Sequence, residues 1–300
     1  MPERKPQLDT LANSILLGCC VFWGLQQVLV KITLAEVPPI WQASLRFILA
    51  TLTLLIWMRW RRIPMQWADG SQRSGLWVGL LFSGEFVCLY LGMQHTTASR
   101  LTIFLYTSPF WVAMLLPLWV PSERVRRVQW LGLVLAFAAV AYALRDGLSQ
   151  ASSPGMWWGD VLALGAGAFW GLTTVSIRST SVARLSPEKL LLYQVAHSAL
   201  CLPLVAWVMG EDLSLNYSLL AWASILIQAV LGAFGSYLIW MWLLGRYQAT
   251  QLSTFAFLTP VFALIFSTLW LGEPLTAPLL VALVGVALGI VLVNRKPSQG

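Results

Sequence analysis

Apolar residues run along this chain in blocks of about twenty, separated by short polar gaps. A hydrocarbon core about 30 Å thick is crossed by roughly 20 apolar residues in helical form. Ten blocks meet that length, at about 13–33, 40–60, 75–94, 98–119, 127–145, 157–180, 188–209, 219–245, 249–271 and 276–293. The pattern predicts an all-α polytopic membrane protein of ten transmembrane helices. The longest polar gaps, about 61–74 and 146–156, are too short to hold a separate domain. Blocks three and four, and eight and nine, are nearly continuous, so their boundaries are the least marked.

Charge adds orientation. Only 10% of the 300 residues are charged and 58% are hydrophobic, against about 25% charged in a soluble domain. If the N-terminus lies inside, the cytoplasmic gaps hold fifteen cations: Arg4, Lys5, Arg59, Arg61, Arg62, Arg73, Arg124, Arg126, Arg127, Arg178, Arg184, Lys189, Arg246, Arg295 and Lys296. The outer gaps hold three, Lys31, Arg100 and Arg145. That bias places both termini in the cytoplasm, in keeping with an even number of spans. The net charge of +7 is therefore a topology signal and not a nucleic-acid footprint, since no gap is long enough for a recognition fold. Most of the seventeen Trp fall near span ends, as an interfacial belt does, whereas Trp23, Trp111 and Trp170 fall deeper. Cys19, Cys20, Cys88 and Cys201 sit inside apolar blocks without metal or disulfide spacing, and read as small buried hydrophobes. Leu16-Leu17-Gly18-Cys19 loosely resembles a lipoprotein cleavage box, but the apolar run continues past it, as in an uncleaved first span.

The blocks repeat. Phe22-Trp23-Gly24-Leu25 returns as Phe169-Trp170-Gly171-Leu172, with Gly18 matching Gly165, Val28 matching Val175 and Lys31 matching Arg178, all at an offset of 147. Ala98, Leu101, Thr102, Phe104 and Pro109 match Ala249, Leu252, Ser253, Phe255 and Pro260 at an offset of 151, as Gly84 matches Gly235. Glu123 matches Glu273 after a slip of one residue. The repeating unit is five helices, with units at 1–148 and 149–300. Five is odd, so the second unit enters the membrane from the opposite side, an inverted-topology repeat of the kind found in secondary transporters.

With these motifs in order, the sequence resembles the drug/metabolite transporter superfamily in its EamA-type branch. The resemblance rests on Phe22-Trp23-Gly24, Pro38-Pro39 with Leu45-Arg46-Phe47, Thr107-Ser108-Pro109-Phe110, Phe169-Trp170-Gly171, Leu258-Thr259-Pro260-Val261-Phe262 and Leu271-Gly272-Glu273, and covers nearly the whole chain. It implies export of small metabolites, amino acids or toxic compounds by secondary transport across the bacterial inner membrane. It also implies a central cavity between helices 1–4 and 6–9, with helices 5 and 10 peripheral. The chain departs from symmetry in having no Arg that matches Arg46, and in Pro121-Ser122-Glu123 where the second half has Leu271-Gly272-Glu273.

Polar residues inside the apolar blocks are the candidate machinery. Trp23, Gln27 and Lys31 share one helical face with Gln26 beside them, and Trp170, Thr174 and Arg178 share another with Thr173 beside them. Such faces either line a wet cavity or hold helices together. Glu85 is the one acid expected at mid-membrane, where a carboxylate must be protonated, paired or hydrated; protonation is the chemistry of proton coupling. Arg46, with Gln42 one turn away, either binds a substrate carboxylate in two-pronged fashion or bridges to Glu85. His197, with Gln194 and Ser198 nearby, either faces substrate or is a satisfied buried imidazole. Pro109 and Pro260 each remove a backbone bond near mid-span, as hinges for alternating access or as fixed bends. Gly285 and Gly289 suit close packing within the chain or in a homodimer. No GxxxxGK[ST], HExxH or GxSxG occurs, and the two histidines are 102 residues apart, so an ATP-driven pump, a metal site, a hydrolase or a bound cofactor has no sequence support. The reading that results is a secondary active exporter of small amphipathic metabolites, with a non-transporting scaffold and a membrane-embedded enzyme as the competing classes.

Overall fold

The computed structural model describes residues 7–65, 69–148, 155–271 and 277–295. Arg4, Lys5, Gly272, Glu273 and Lys296 lie outside them. Among the described residues there is no β-strand. The apolar helical rods among the described residues are, in order, α1 Thr10–Thr33, α2 Pro39–Trp60, α3 Gln72–Met93, α4 Ala98–Trp119, α5 Arg127–Ala143, α6 Met156–Ser179, α7 Pro187–Val208, α8 Leu219–Leu244, α9 Ala249–Trp270 and α10 Ala277–Val293. All but α5 and α10 are long and apolar enough to cross a bilayer. Those two have 17 residues each, or about 25 Å of helix.

Local chemistry sets the helix starts. The Asp9 carboxylate accepts from the Ala12 N–H at 2.9 Å and caps α1. Thr97, Ser186 and Ser218 do the same for α4, α7 and α8, each meeting an N–H that the first helical turn leaves free. Pro39 and Pro187 open α2 and α7, where a missing N–H costs nothing. The Thr97 cap resolves the ill-marked boundary between blocks three and four.

Two rods are broken in the middle. α4 interrupts between Leu105 and Ser108, and α9 between Phe255 and Leu258. Pro109 and Pro260 follow these breaks directly. α8 instead widens into nine π-helical residues, Gln228–Ser236.

The halves interleave: α1 packs on α9, α6 on α4 and α3, α2 on α7, and α5 on α10. Small residues allow the closest approaches. A β-carbon at Gly24 would lie 2.8 Å from the Ala263 backbone nitrogen, and one at Gly171 would lie 3.1 Å from the Ser108 carbonyl and collide with Trp111. The motif glycine thus seats each half's first helix against the broken helix of the other half. Gly289 meets the Gly132 carbonyl and Gly285 meets Ala139, so the Gly-xxx-Gly pair serves packing of α10 on α5 within the chain.

Candidate functional site

The rods α1–α4 and α6–α9 enclose a cavity of about 600 Å³, and Leu144, just beyond α5, closes one edge. It runs from mid-span to the end of the bundle that carries Lys31, Met93, Thr96 and Ala98. Toward the opposite end of the bundle Arg178 and Glu123 form a buried ion pair. The Glu123 carboxylate also accepts from the Ala249 N–H at 2.9 Å, and the Arg178 guanidinium donates to the Leu244 carbonyl at 2.6 Å. This cluster ties the end of α4 to α6 and to the α8–α9 turn. Arg178 is not part of this cavity's wall and lines a smaller pocket of about 210 Å³, whereas its repeat counterpart Lys31 lines the cavity.

Most of the polar residues singled out in the sequence converge here. Trp23, Gln26, Gln27, Arg46, Glu85, Trp170, Thr173, Thr174, Gln194 and Pro260 all line the cavity. Arg46 is 2% exposed and Glu85 8% exposed. Among the described residues the two form no direct ion pair. Nε and one terminal nitrogen of Arg46, and Oε2 of Glu85, have no hydrogen-bond partner. The guanidinium lies 4.7 Å from the centre of the Phe47 ring and 5.0 Å from that of Phe86, whose π-faces attract it and leave its N–H edge for another acceptor.

Two residues expected at the cavity stand elsewhere. Gln42 is fully buried between α2 and α8, its amide 3.5 Å from the Gln228 side-chain oxygen. His197 bonds Ser83 through Nδ1 at 2.9 Å, and Ser83 donates to the Gly79 carbonyl and meets Ser198 at 3.0 Å. That network engages Nδ1 of the imidazole within the α3–α7 interface. Pro109, the residue expected as the hinge of α4, is buried beside the break.

The structure adds residues the sequence did not single out. Trp23 donates from its indole to Ser236 Oγ at 2.7 Å and packs edge-on against Tyr237 and Trp240. Trp170 packs edge-on against Tyr106, whose hydroxyl is 3.5 Å from the Gln27 amide. Tyr106 falls in the α4 break, a position that the following proline marks. Ser236 and Tyr237 follow Gly235, the repeat partner of Gly84, so the offset that pairs the glycines also pairs Ser236 with Glu85. Likewise α2 and α7 both begin with proline and run for 22 residues, which pairs Arg46 with Gln194. Arg46 and Glu85 of the first-half wall thus each have a neutral hydrogen-bonding counterpart in the second.

Comparison with known proteins adds a family. The profile of the EamA-like transporter family matches the chain twice, at residues 10–145 and 157–295. A protein of Salmonella typhimurium named "Probable amino-acid metabolite efflux pump" is 26% identical over 281 residues, 90% of each chain. An "Uncharacterized transporter" of Archaeoglobus fulgidus is 27% identical over 273 residues, 89% of this chain and 91% of that one. A solved crystal structure, titled only as that of a protein, has a TM-score of 0.77 at 16% identity, covering 93% of this chain and 96% of its own, and shares the fold.

Proposed function

The chain belongs to the EamA-like transporter family, and we propose that it exports small amphipathic metabolites across the bacterial inner membrane by alternating access. Amino acids and related zwitterions are the foremost substrates, with amphipathic drugs as further candidates. The observation that carries this reading is the wall of the cavity: a buried, aromatic-backed guanidinium at Arg46 with two nitrogens free of hydrogen bonds and a buried carboxyl at Glu85 with one such oxygen. A guanidinium in low dielectric binds a carboxylate through paired, charge-assisted bonds. The aromatic rings around it suit the apolar part of the same solute. The name of the Salmonella relative points to the same substrate class.

All ten rods span the membrane in this reading, as two inverted units, 1–148 and 149–300, with both termini cytoplasmic. The fifteen-to-three distribution of cations supports that orientation. The open end of the cavity, at Lys31 and Thr96, then faces outward and the Arg178–Glu123 pair faces the cytoplasm. The breaks before Pro109 and Pro260 are the hinges. Proton coupling runs through Glu85, which sheds its charge cost by protonation. Purified protein in liposomes under a proton gradient tests the proposal. Saturable movement of amino acids, lost in Glu85→Gln and weakened in Arg46→Ala at normal protein levels, is expected. No movement of any amino acid, amine or drug by the intact protein would overturn it.

A further inference from the structure

The motif glycines are used alike in both halves, but the motif tryptophans are not. Gly24 seats on Phe262 and Gly171 on Trp111, and those two partners are themselves separated by the repeat offset of 151. Trp23, by contrast, donates to Ser236 of α8. The repeat counterpart of that bond would join Trp170 to Glu85 of α3. Among the described residues Trp170 Nε1 makes no hydrogen bond, and Glu85 Oε2 is buried without a partner, although both side chains line one cavity. The helices differ in the same sense. α8 is π-helical up to Ser236, whose hydroxyl donates to the Gly232 carbonyl at 2.7 Å, while the matching stretch of α3 is regular α-helix packed along α6. The two halves thus hold one shared set of contacts in two different arrangements.

In an inverted repeat, each half can take up the arrangement of the other, and the exchange opens the opposite face. Resting on the alternating-access reading above, we propose that Trp23–Ser236 and Trp170–Glu85 are the two exclusive settings of one switch. The Trp23–Ser236 bond belongs to the form open at Lys31. When the bundle opens at Arg178, Trp23 leaves Ser236 and the Trp170 indole N–H donates to the Glu85 carboxyl. Trp170 then acts as a positioning residue for Glu85, bonding it only in that form. A donor to a carboxyl group in an apolar site has a large effect, since otherwise the acceptor stays buried and unsatisfied. Such a bond shifts a two-state equilibrium because it exists in only one state.

Spin labels at Ser122→Cys and Ser181→Cys, at the Arg178 end, read the population open at Arg178. The full-length protein is used, with its four native cysteines replaced by alanine. Trp170→Phe keeps the ring and removes the donor. It is expected to lower the open population roughly tenfold, and Trp23→Phe is expected to raise it several-fold. The Trp170→Phe effect should vanish in a Glu85→Leu background, as for any directly coupled pair. Shifts of both tryptophan variants in the same direction, or a Trp170→Phe effect undiminished by Glu85→Leu, would overturn the switch while leaving alternating access standing. If Trp170→Phe fails to fold, Glu85→Leu alone carries the test: it must lower the open population, and no change overturns the proposal. A labelled parent protein that shows one unchanging distance with and without amino-acid substrate would overturn both readings.

Discussion

Arg46 and Gln194 hold equivalent positions in α2 and α7, and Glu85 and Ser236 hold equivalent positions in α3 and α8. The charges all fall on the first-half wall, so a bound zwitterion has one preferred orientation. Loss of a charge-assisted bond costs about 1.5–3 kcal/mol. Arg46→Ala is therefore expected to raise the KM for carboxylate-bearing substrates at least tenfold, and Arg46→Lys should restore little, because an ammonium cannot make the paired contact. His197 belongs to a different network. His197→Gln should leave KM within about twofold while costing about 1 kcal/mol of stability through its lost bond to Ser83; substrate kinetics and thermal unfolding of the same preparation separate the two effects. Arg46 and Glu85 were legible in the sequence because a charge inside an apolar block is costly and stands out. The direction His197 faces was not legible, since helical spacing alone does not distinguish the cavity from the α3–α7 interface. Tyr237 and Trp240 were hidden for another reason: among seventeen Trp and seven Tyr, an aromatic facing lipid and one facing a cavity look the same.

The motion proposed for transport falls on the broken helices. α4 and α9 are already interrupted at Tyr106–Thr107 and Ala256–Phe257, so the backbone bonds that a proline removes are lost where bending is needed. Pro109→Ala and Pro260→Ala allow those bonds to form. Each variant is expected to keep or raise thermal stability while slowing transport several-fold, which unfolding curves and initial efflux rates measure. Gly24→Leu should act oppositely, driving α1 off the backbone of α9 at a cost of about 1–3 kcal/mol or more, read as a lower midpoint in detergent. Both prolines and both motif glycines were visible in the sequence, and the repeat made them visible as pairs. The π-helical stretch of α8 was not. Its residues, Gln228–Ser236, contain no proline, and they meet Gln26 and Trp23 of α1 at Gly232 and Ser236, tertiary contacts with no local mark.

Over the whole molecule, the two halves are clasped at both ends. Glu211, after α7, accepts from the backbone N–H groups of Ile40 and Trp41 at the start of α2. Asp69, before α3, binds Lys189 in the first turn of α7. The bond from Lys189, with that from Ser71, holds the Asp69 carboxyl down at about 2 from its ordinary value of 3.8. A depressed carboxylate stabilises the fold at any pH above its unfolded value and loses that contribution as pH falls toward 2. Asp69→Asn should lower the melting midpoint at pH 6, and the gap to the parent protein should close between pH 4 and pH 2. The all-helical layout and the duplication were legible at this scale because length and spacing encode them. Which end of the cavity stands open was not, because the end groups Lys31 and Arg178 occupy matched positions and differ only in their tertiary partners. The measurement that bears most directly on the account compares two spin-labelled pairs in one liposome preparation: Ala98→Cys with Ser267→Cys at the Lys31 end, and Ser122→Cys with Ser181→Cys at the Arg178 end. Adding amino-acid substrate with a proton gradient should shorten the first distance and lengthen the second together. Two distances that stay fixed, or that lengthen together, would contradict alternating access between the repeats.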